Sequence, residues 1–271
     1  SDAGGVRLFL DTADVVLSEA KTMLEKIGKA FPKAKLEGFT VQQMAVRPRA
    51  HELIVGTTTD NIFGPTILFG HGGTAVELDV TSDESVAAFA AEVGAFGRVD
   101  VLVNNAGGAK GLAPVSEANL EDWRWMWETN VVGTLRITKA LLPKLEASGD
   151  GLIVTITSTA ALEVYDNGAG YTSAKHAQGV LHRTLRLELI GKPIRLTEIC
   201  PGMVETEFSL VRFNGDEAKA DAVYKGLQPM IADDIAELVA FTASRPPHVN
   251  LDQIVLKPRD QADARRNVKT R

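Results

Sequence analysis

The chain has 271 residues, 45% of them hydrophobic and 24% charged, which is material for one large domain or two small ones. A formal net charge of −6 and a pI near 5.5 argue against nucleic acid as a partner, because phosphate contact needs a concentrated basic face. The single cysteine, Cys200, excludes an intrachain disulfide and fits a reducing compartment.

In chain order, residues 1–78 read as an α+β piece. Val6 to Leu10 looks like a strand, and Val15 to Ala30 carries Val16, Ala20, Leu24 and Ile27 at helical spacing. After Pro32, strand-like segments run from Phe39 to Ala45, Glu52 to Thr57 and Thr66 to Phe69. The turns between them suggest antiparallel pairing rather than a βαβ unit. From Asp79 the pattern changes to short apolar runs alternating with helical periods, the mark of a parallel, doubly wound sheet. Thr81-Ser82-Asp83-Glu84 offers a capping box for a helix with Val86, Phe89, Ala90 and Val93 on one stripe. Val99 to Val103 reads as a buried strand ending at Asn104-Asn105-Ala106-Gly107. A long helix from about Leu120 to Leu145 then carries Trp123, Met126, Trp127, Leu135 and Leu142 at a spacing for burial, the tryptophans read as core. A strand over Gly151 to Thr157, a helix over Ala169 to Leu189 and a strand over Ile194 to Ile199 follow. A helix over Ala232 to Ala243 and a last strand over Gln253 to Leu256 complete the series.

The tail from Lys257 to Arg271 holds six Lys/Arg against two Asp/Glu, a solvated terminus or a subunit contact. No apolar stretch approaches ~18 residues and no basic-then-apolar leader opens the chain, so neither a membrane span nor a signal peptide is expected, and a cytoplasmic location is. The start at Ser1 rather than Met reads as truncated or trimmed.

Four residues carry the chemistry. Tyr171 and Lys175 stand one helical turn apart, Ser158 lies thirteen residues before the tyrosine at the end of an apolar run, and Asn130 sits upstream in Thr129-Asn130-Val131-Val132-Gly133. A phenol titrates near pH ~10, so a tyrosine shuttles a hydroxyl proton at neutral pH only if a nearby cation stabilises its phenolate. Residues at i and i+4 share a helix face, which lets Lys175 supply that charge. A serine hydroxyl from a strand end can hold the substrate oxygen while a hydride moves to or from its carbon. His176 and His182 lie on the same helix and read as surface or packing residues, since the tyrosine and lysine already provide proton transfer. Cys200, with no base at a suggestive spacing, reads as a packed small apolar residue. Arg212 is either a surface arginine or a partner for a substrate carboxylate, whose geometry a guanidinium matches.

Residues 79–271 resemble the short-chain dehydrogenase/reductase family through an ordered set: Asp79-Val80, Asn104-Asn105-Ala106-Gly107, Asn130, Ser158, Tyr171-xxx-Lys175 and Pro201-Gly202. Thr206 to Phe213, with Asn214-Gly215-Asp216 and Pro247-His248-Val249-Asn250, is similar to the subgroup of NADP-dependent 3-hydroxy acid (serine or allo-threonine) dehydrogenases. The resemblance implies Tyr171 as general acid/base, Lys175 lowering its pKa and binding the nicotinamide ribose, and Ser158 positioning the substrate oxygen. It implies that Asn130 holds a water at a helix irregularity, a relay linking Lys175 to solvent. It further implies Asn104, Ala106 and Gly107 against the adenosine ribose, Asp79 and Val80 near the adenine, and Pro201, Gly202, Val204 and Thr206 beside the carboxamide. Asn104-Asn105 and Pro201-Gly202 are also common turn chemistry, and Asp79 alone would be a helix cap. The implied partners are a small hydroxy acid or carbonyl substrate and a homotetramer built through the two long helices, with no nucleic acid and no membrane.

Residues 4–77 resemble part of the ATP-grasp region of ADP-forming acyl-CoA synthetases and related protein acetyltransferases. The resemblance rests on Gly38 to Met44, His51 to Gly56, and Phe63-Gly64-Pro65 running into Phe69 to Glu77. It implies Glu77 as a magnesium-side carboxylate, but the segment that should bring further ligands is replaced by Asp79-Val80-Thr81. One carboxylate is a poor magnesium site, so no metal is expected.

A dehydrogenase of this family should open with a strand, a Thr-Gly-xxx-Gly-x-Gly turn and a helix, whose backbone N–H groups meet the pyrophosphate. No such turn precedes Asn104. Gly70-His71-Gly72-Gly73 is followed by strand-like Thr74 to Val80, so it is no substitute, and the join falls near Gly73 to Asp79. The expected fold is therefore α/β, a Rossmann-like doubly wound parallel sheet lacking its first βαβ unit (79–271), preceded by an α+β ATP-grasp-like fragment (1–78). Loss of those strands would leave an apolar edge beside Asn104. The expected function is NADP(H)-linked hydride transfer, NAD remaining open, with weak cofactor binding. The alternatives are an inert chimera or interaction module, and an ATP-grasp acyl-CoA ligase fragment.

Overall fold

The computed structural model describes residues 12–30, 53–60, 64–71, 74–95 and 97–268. Contacts divide the chain into two compact units, residues 1–56 with 68–76 and residues 57–67 with 77–271. The strands expected over Val6 to Leu10 and Phe39 to Ala45 lie outside the described residues. Among the described residues no helix is long and apolar enough to cross a membrane.

Helix α1 (Ala13–Ala30) is opened by Thr12, whose Oγ1 accepts from Val15 N at 3.3 Å. Its inward line runs through half-buried Val16 and Ala20 to buried Met23, while Leu24, expected inside, is 51% exposed. Met23 falls at i+7 from Val16, and the next residue is turned about 100° away from it. Strands β1 (Leu53–Asp60), β2 (Gly64–His71) and β3 (Thr74–Leu78) form a three-stranded sheet in that order.

Helix α2 (Asp83–Ala95) begins one residue later than the Thr81 capping box implies. Ser82 Oγ accepts from Ser85 N at 3.2 Å, and Asp79 Oδ1 accepts from both the backbone N and the hydroxyl of Thr81, at 2.8 and 2.7 Å. Asp79 thus ties the turn before the helix, the capping use that its residue type favours.

The remaining elements are β4 (Val101–Asn104), α3 (Leu120–Trp127), a π turn (Glu128–Val132), α4 (Gly133–Ala147), β5 (Gly151–Ile156), α5 (Ala169–Glu188), β6 (Ile194–Pro201), α6 (Phe208–Arg212), α7 (Glu217–Tyr224), α8 (Ala232–Ala243) and β7 (Gln253–Leu256). Strands β4-β5-β6-β7 form a parallel sheet in that order, with Val103 opposite Val154, Thr155 opposite Glu198 and Ile199 opposite Ile254. Side chains alternate across it: Leu152, Val154 and Ile199 pack against Leu238, Val239 and Ala243 of α8, whereas Thr155 meets His182 of α5. Helices on both faces make this a doubly wound, Rossmann-like α/β fold.

The central strands are buried along their length, whereas β4 stands at the edge with Val101 42% and Val103 38% exposed. Only Leu102 and Asn104 of β4 are buried, so the strand read as buried is buried on one face only, and within the described sheet it forms the apolar edge expected beside Asn104.

The helix read over about Leu120 to Leu145 is interrupted by the π turn, at the place where the family resemblance sets a helix irregularity at Asn130. The extra residue rotates everything after it, so the buried line passes through Met126, Asn130, Thr134, Ile137, Leu141 and Leu145. Trp127 and Leu135, expected inside, are 46% and 48% exposed, and Leu142 is half-buried.

Candidate active site

The site lies where β5 and β6 end and α5 begins, outside the carboxyl ends of parallel strands, where ligands of such sheets bind. Past β5 the chain turns at Ser158, whose Oγ accepts from Ala160 N at 3.1 Å and donates to Pro201 O at 3.4 Å. Helix α5 turns Tyr171, Lys175 and Gln178 inward along one face, all three buried. The Ser158 hydroxyl bears on the Tyr171 phenol and favours its ionised form, and the Tyr171 ring meets Phe208 edge-on at 5.4 Å between centroids.

Arg212 comes from α6, a helix that sequence patterning missed because it has only five residues. Its guanidinium carbon sits 5.5 Å from the Tyr171 ring centroid and 5.6 Å from those of Tyr165 and Phe208. Nη2 donates to the Tyr165 hydroxyl at 2.5 Å and Nε to Gly111 O at 3.3 Å. The arginine is therefore fixed beside the tyrosine rather than loose on the surface.

Burial pushes the Tyr171 phenol above its usual range and Tyr165 adds to this, while the Ser158 hydrogen bond and the Arg212 charge pull it back. Burial takes Lys175 down to about 7, against the opposing pull of Cys200 and Glu198. Lys175 Nζ is 5.8 Å from the Tyr171 ring centroid, and the cation whose charge bears on the phenol is Arg212.

The lysine shift has a consequence for stability. Unfolded Lys175 holds its proton up to its ordinary pKa of 10.5, whereas the folded group releases it near 7, so the unfolded state binds more protons between these limits and stability rises with pH. Cys200, pushed to about 12 by burial, works in the opposite sense once its unfolded thiol ionises near 9. The clean window is therefore pH 7 to 9. Urea unfolding is expected to strengthen across that window in the parent chain and to stay flat in Lys175→Met; parallel curves for the two proteins would refute it.

Asn130 occupies the π turn and is fully buried. Its Nδ2 donates to Gly108 O at 2.9 Å and Met126 O at 2.6 Å, and its Oδ1 accepts from Gly108 N at 3.2 Å. A Cβ on Gly107 would come within 2.5 Å of Asn130 Oδ1 and 3.4 Å of Lys175 Nζ, so only glycine lets the loop after β4 approach this closely. The Asn130 carbonyl accepts from Thr134 Oγ1 at 2.8 Å, Thr134 Oγ1 accepts from Gln178 Nε2 at 2.8 Å, and Gln178 Oε1 accepts from Lys175 Nζ at 2.8 Å. Asn130 and Lys175 are thus joined through two side chains, Thr134 and Gln178. Sequence reasoning passed over both, since a polar residue on an amphipathic stripe reads as solvated.

Asn104 Nδ2 donates to Thr138 Oγ1 at 2.9 Å, while its Oδ1 is buried without a hydrogen-bond partner. Ala106 and Gly107 follow in the half-buried loop. Pro201 meets Ser158, Gly202 N donates to Leu256 O at 2.7 Å, Val204 bridges Met230, and Thr206 Oγ1 accepts from Phe208 N at 3.3 Å. Asp79 and Val80 stand at the start of α2, where Val80 packs so closely on Gly133 that a Cβ there would lie 2.7 Å from Val80 Cγ2. Of the expected residues, Ser158 and Pro201 are in direct contact, Gly107 packs against Asn130, and Lys175 Nζ lies 5.8 Å from the Tyr171 ring centroid. His182 is buried with Nδ1 2.9 Å from Thr155 Oγ1, His176 Nδ1 lies 2.8 Å from Thr172 O, and Cys200 is buried with Sγ 3.2 Å from Thr157 Oγ1.

A parallel α/β sheet with a serine, tyrosine and lysine gathered at the carboxyl ends of its strands defines a Rossmann-like protein of the hydride-transferring kind. The family model for short chain dehydrogenases matches residues 66–215, and the chain belongs to that family of oxidoreductases. A second family model, for the ATP-grasp domain, matches residues 1–92, so the two overlap around the Gly73 to Asp79 join. An uncharacterized oxidoreductase of Mycobacterium tuberculosis is 70% identical over 195 residues, 72% of this chain and 76% of that protein. Serine 3-dehydrogenase of Agrobacterium fabrum is 40% identical over 196 residues, 72% of this chain and 78% of that enzyme. Among solved structures, the closed form of serine dehydrogenase complexed with NADP+ superposes with a TM-score of 0.67 at 36% identity, covering 72% of this chain and 79% of that one.

Proposed function

We propose that residues 79–271 form a dehydrogenase domain for NADP(H)-linked interconversion of a small 3-hydroxy acid and its carbonyl counterpart, and that residues 1–78 form a separate ATP-grasp-like fragment. The observation that carries this reading is Tyr171, buried on α5 with the Ser158 hydroxyl favouring its ionised form and the Arg212 guanidinium carbon 5.5 Å from its ring centroid. Tyr171 passes a proton to the carbonyl oxygen during reduction and takes it back during oxidation. The Ser158 hydroxyl holds that oxygen, and Arg212 engages the acid group of the substrate. The nicotinamide, when bound, supplies the hydride. The serine 3-dehydrogenase relatives act in their names on a substrate of this class, which supports the choice.

The residues fit one half of the cofactor. The unpaired Asn104 Oδ1, the close approach at Gly107 and the Lys175 ammonium suit a ribose with its hydroxyl donors. The other half does not fit, because no Thr-Gly-xxx-Gly-x-Gly turn precedes Asn104 to receive the pyrophosphate. Weak NADP(H) binding follows from that deficit. The second reading is an inert chimera, favoured by the same deficit and by the open edge of β4. A homotetramer through α3–α4 and α5 is proposed on the family resemblance and on the exposed Leu135, Val180 and Leu187. A cytoplasmic setting is proposed on the single, free and buried Cys200.

The test is NADP+-linked oxidation at millimolar cofactor of serine and 3-hydroxypropanoate against an uncharged alcohol. The acids are expected to be preferred, and Arg212→Met is expected to raise their KM about tenfold or more while leaving that of the alcohol unchanged. Equal losses on both substrates would remove Arg212 from substrate recognition, and no rate with any substrate would favour the inert reading.

A further inference from the structure

Lys175 has a fixed set of partners that leaves part of it free. An ammonium has three protons and no acceptor. One proton goes to Gln178 Oε1 at 2.8 Å and one to Ile156 O at 3.3 Å, leaving the third. The orientation of the Gln178 amide is forced by this. Only its oxygen can face an ammonium, so its Nε2 turns to Thr134 Oγ1 at 2.8 Å, and the Thr134 proton goes on to Asn130 O at 2.8 Å. Gln178 and Asn130 are both 0% exposed, so no member of the chain can exchange its partner for bulk water without opening the fold.

We infer that Gln178, supported by Thr134, is a positioning residue that anchors the Lys175 ammonium to the π turn and leaves one of its protons directed to the reaction site. The inference rests on the reading of Lys175 as part of a hydride-transfer site and adds a device to it. A hydrogen bond from an ion to a neutral acceptor favours the charged form, so the amide oxygen keeps Lys175 cationic in a place where burial works against it. The titratable groups that bear on this ammonium are Tyr171 on its own helix and Cys200 and Glu198 on β6. The loop after β4, the π turn and α4 turn only neutral groups toward it, through Gly107, Asn130 and Thr134. Gln178 is therefore the adjustable partner that carries no charge of its own.

The experiment titrates the full chain labelled with 13C-lysine, following the Lys175 Cε resonance, which is assigned by its loss in Lys175→Met. Gln178→Leu is expected to lower the Lys175 midpoint by about one pH unit, and Gln178→Glu, nearly isosteric, to raise it by about one. Thr134→Val, which frees the amide to turn, is expected to lower it by a smaller amount. Midpoints within ~0.3 units of the parent in folded variants would overturn the inference, since one unit is the differential interaction expected of such a bond. Reduced thermal stability without a moved midpoint would assign Gln178 a packing role and overturn it as well. If Gln178→Leu does not fold, the glutamate variant decides alone. The readout needs no cofactor, so a chain that fails to oxidise or reduce any substrate would refute the oxidoreductase reading and leave this result standing.

Discussion

Tyr171→Phe is expected to lower turnover, measured at millimolar NADPH with a short 3-oxo acid, by about 10²–10⁴-fold, the range that a positioned general acid contributes. The substitution removes one oxygen and keeps the ring, so the edge-on contact with Phe208 at 5.4 Å survives and the loss cannot be laid to repacking. It also removes the group on which the Ser158 hydroxyl acts, leaving that hydroxyl its bonds to Pro201 O at 3.4 Å and from Ala160 N at 3.1 Å. The KM for the acid should change little, because Arg212 stays held by Tyr165 and Gly111. A variant as fast as the parent would take proton transfer away from Tyr171. A parent with no rate would favour a fold that kept its catalytic residues and lost its turnover.

The second large effect is a gain. Residues 1–73 replaced by a strand, a Thr-Gly-xxx-Gly-x-Gly turn, a helix and a strand of the family pattern are expected to tighten NADPH binding about a thousandfold. The pyrophosphate would then meet backbone N–H groups at a helix N-terminus, and ~4 kcal/mol from that source corresponds to such a factor. The same graft would place a strand beside β4 and cover Val101 and Val103, which are 42% and 38% exposed. Solubility should therefore improve together with affinity. Improved solubility without tighter binding would mean that the pyrophosphate is not what the present chain lacks.

The two effects separate what periodicity reveals from what it hides. Tyr171 and Lys175 were legible because i and i+4 on one helix need nothing beyond the helix, and Ser158 because a strand end is marked by where an apolar run stops. The edge position of β4 followed from counting the strands absent before it. The π turn left no mark in the apolar pattern and was legible only through the family resemblance, which set an irregularity at Asn130; its added residue turns Leu135 outward. Gln178 and Thr134 were missed because their worth lies in a chain of three hydrogen bonds joining two helices, which no single helix pattern contains. The importance of Arg212 depends on a five-residue helix folding back over Tyr171, which is tertiary information. The Leu24 error in α1 is of the simplest kind, two neighbouring apolar residues competing for one inward position.

Fluorescence titration of the chain with NADPH bears most directly on the central claim, that a catalytic half-site of the short chain dehydrogenase family survives here without its phosphate cradle. The emission of the three tryptophans and of the reduced nicotinamide should change without saturating through the micromolar range. Saturation at micromolar NADPH would contradict the claim, since that affinity requires a pyrophosphate site the sequence does not supply.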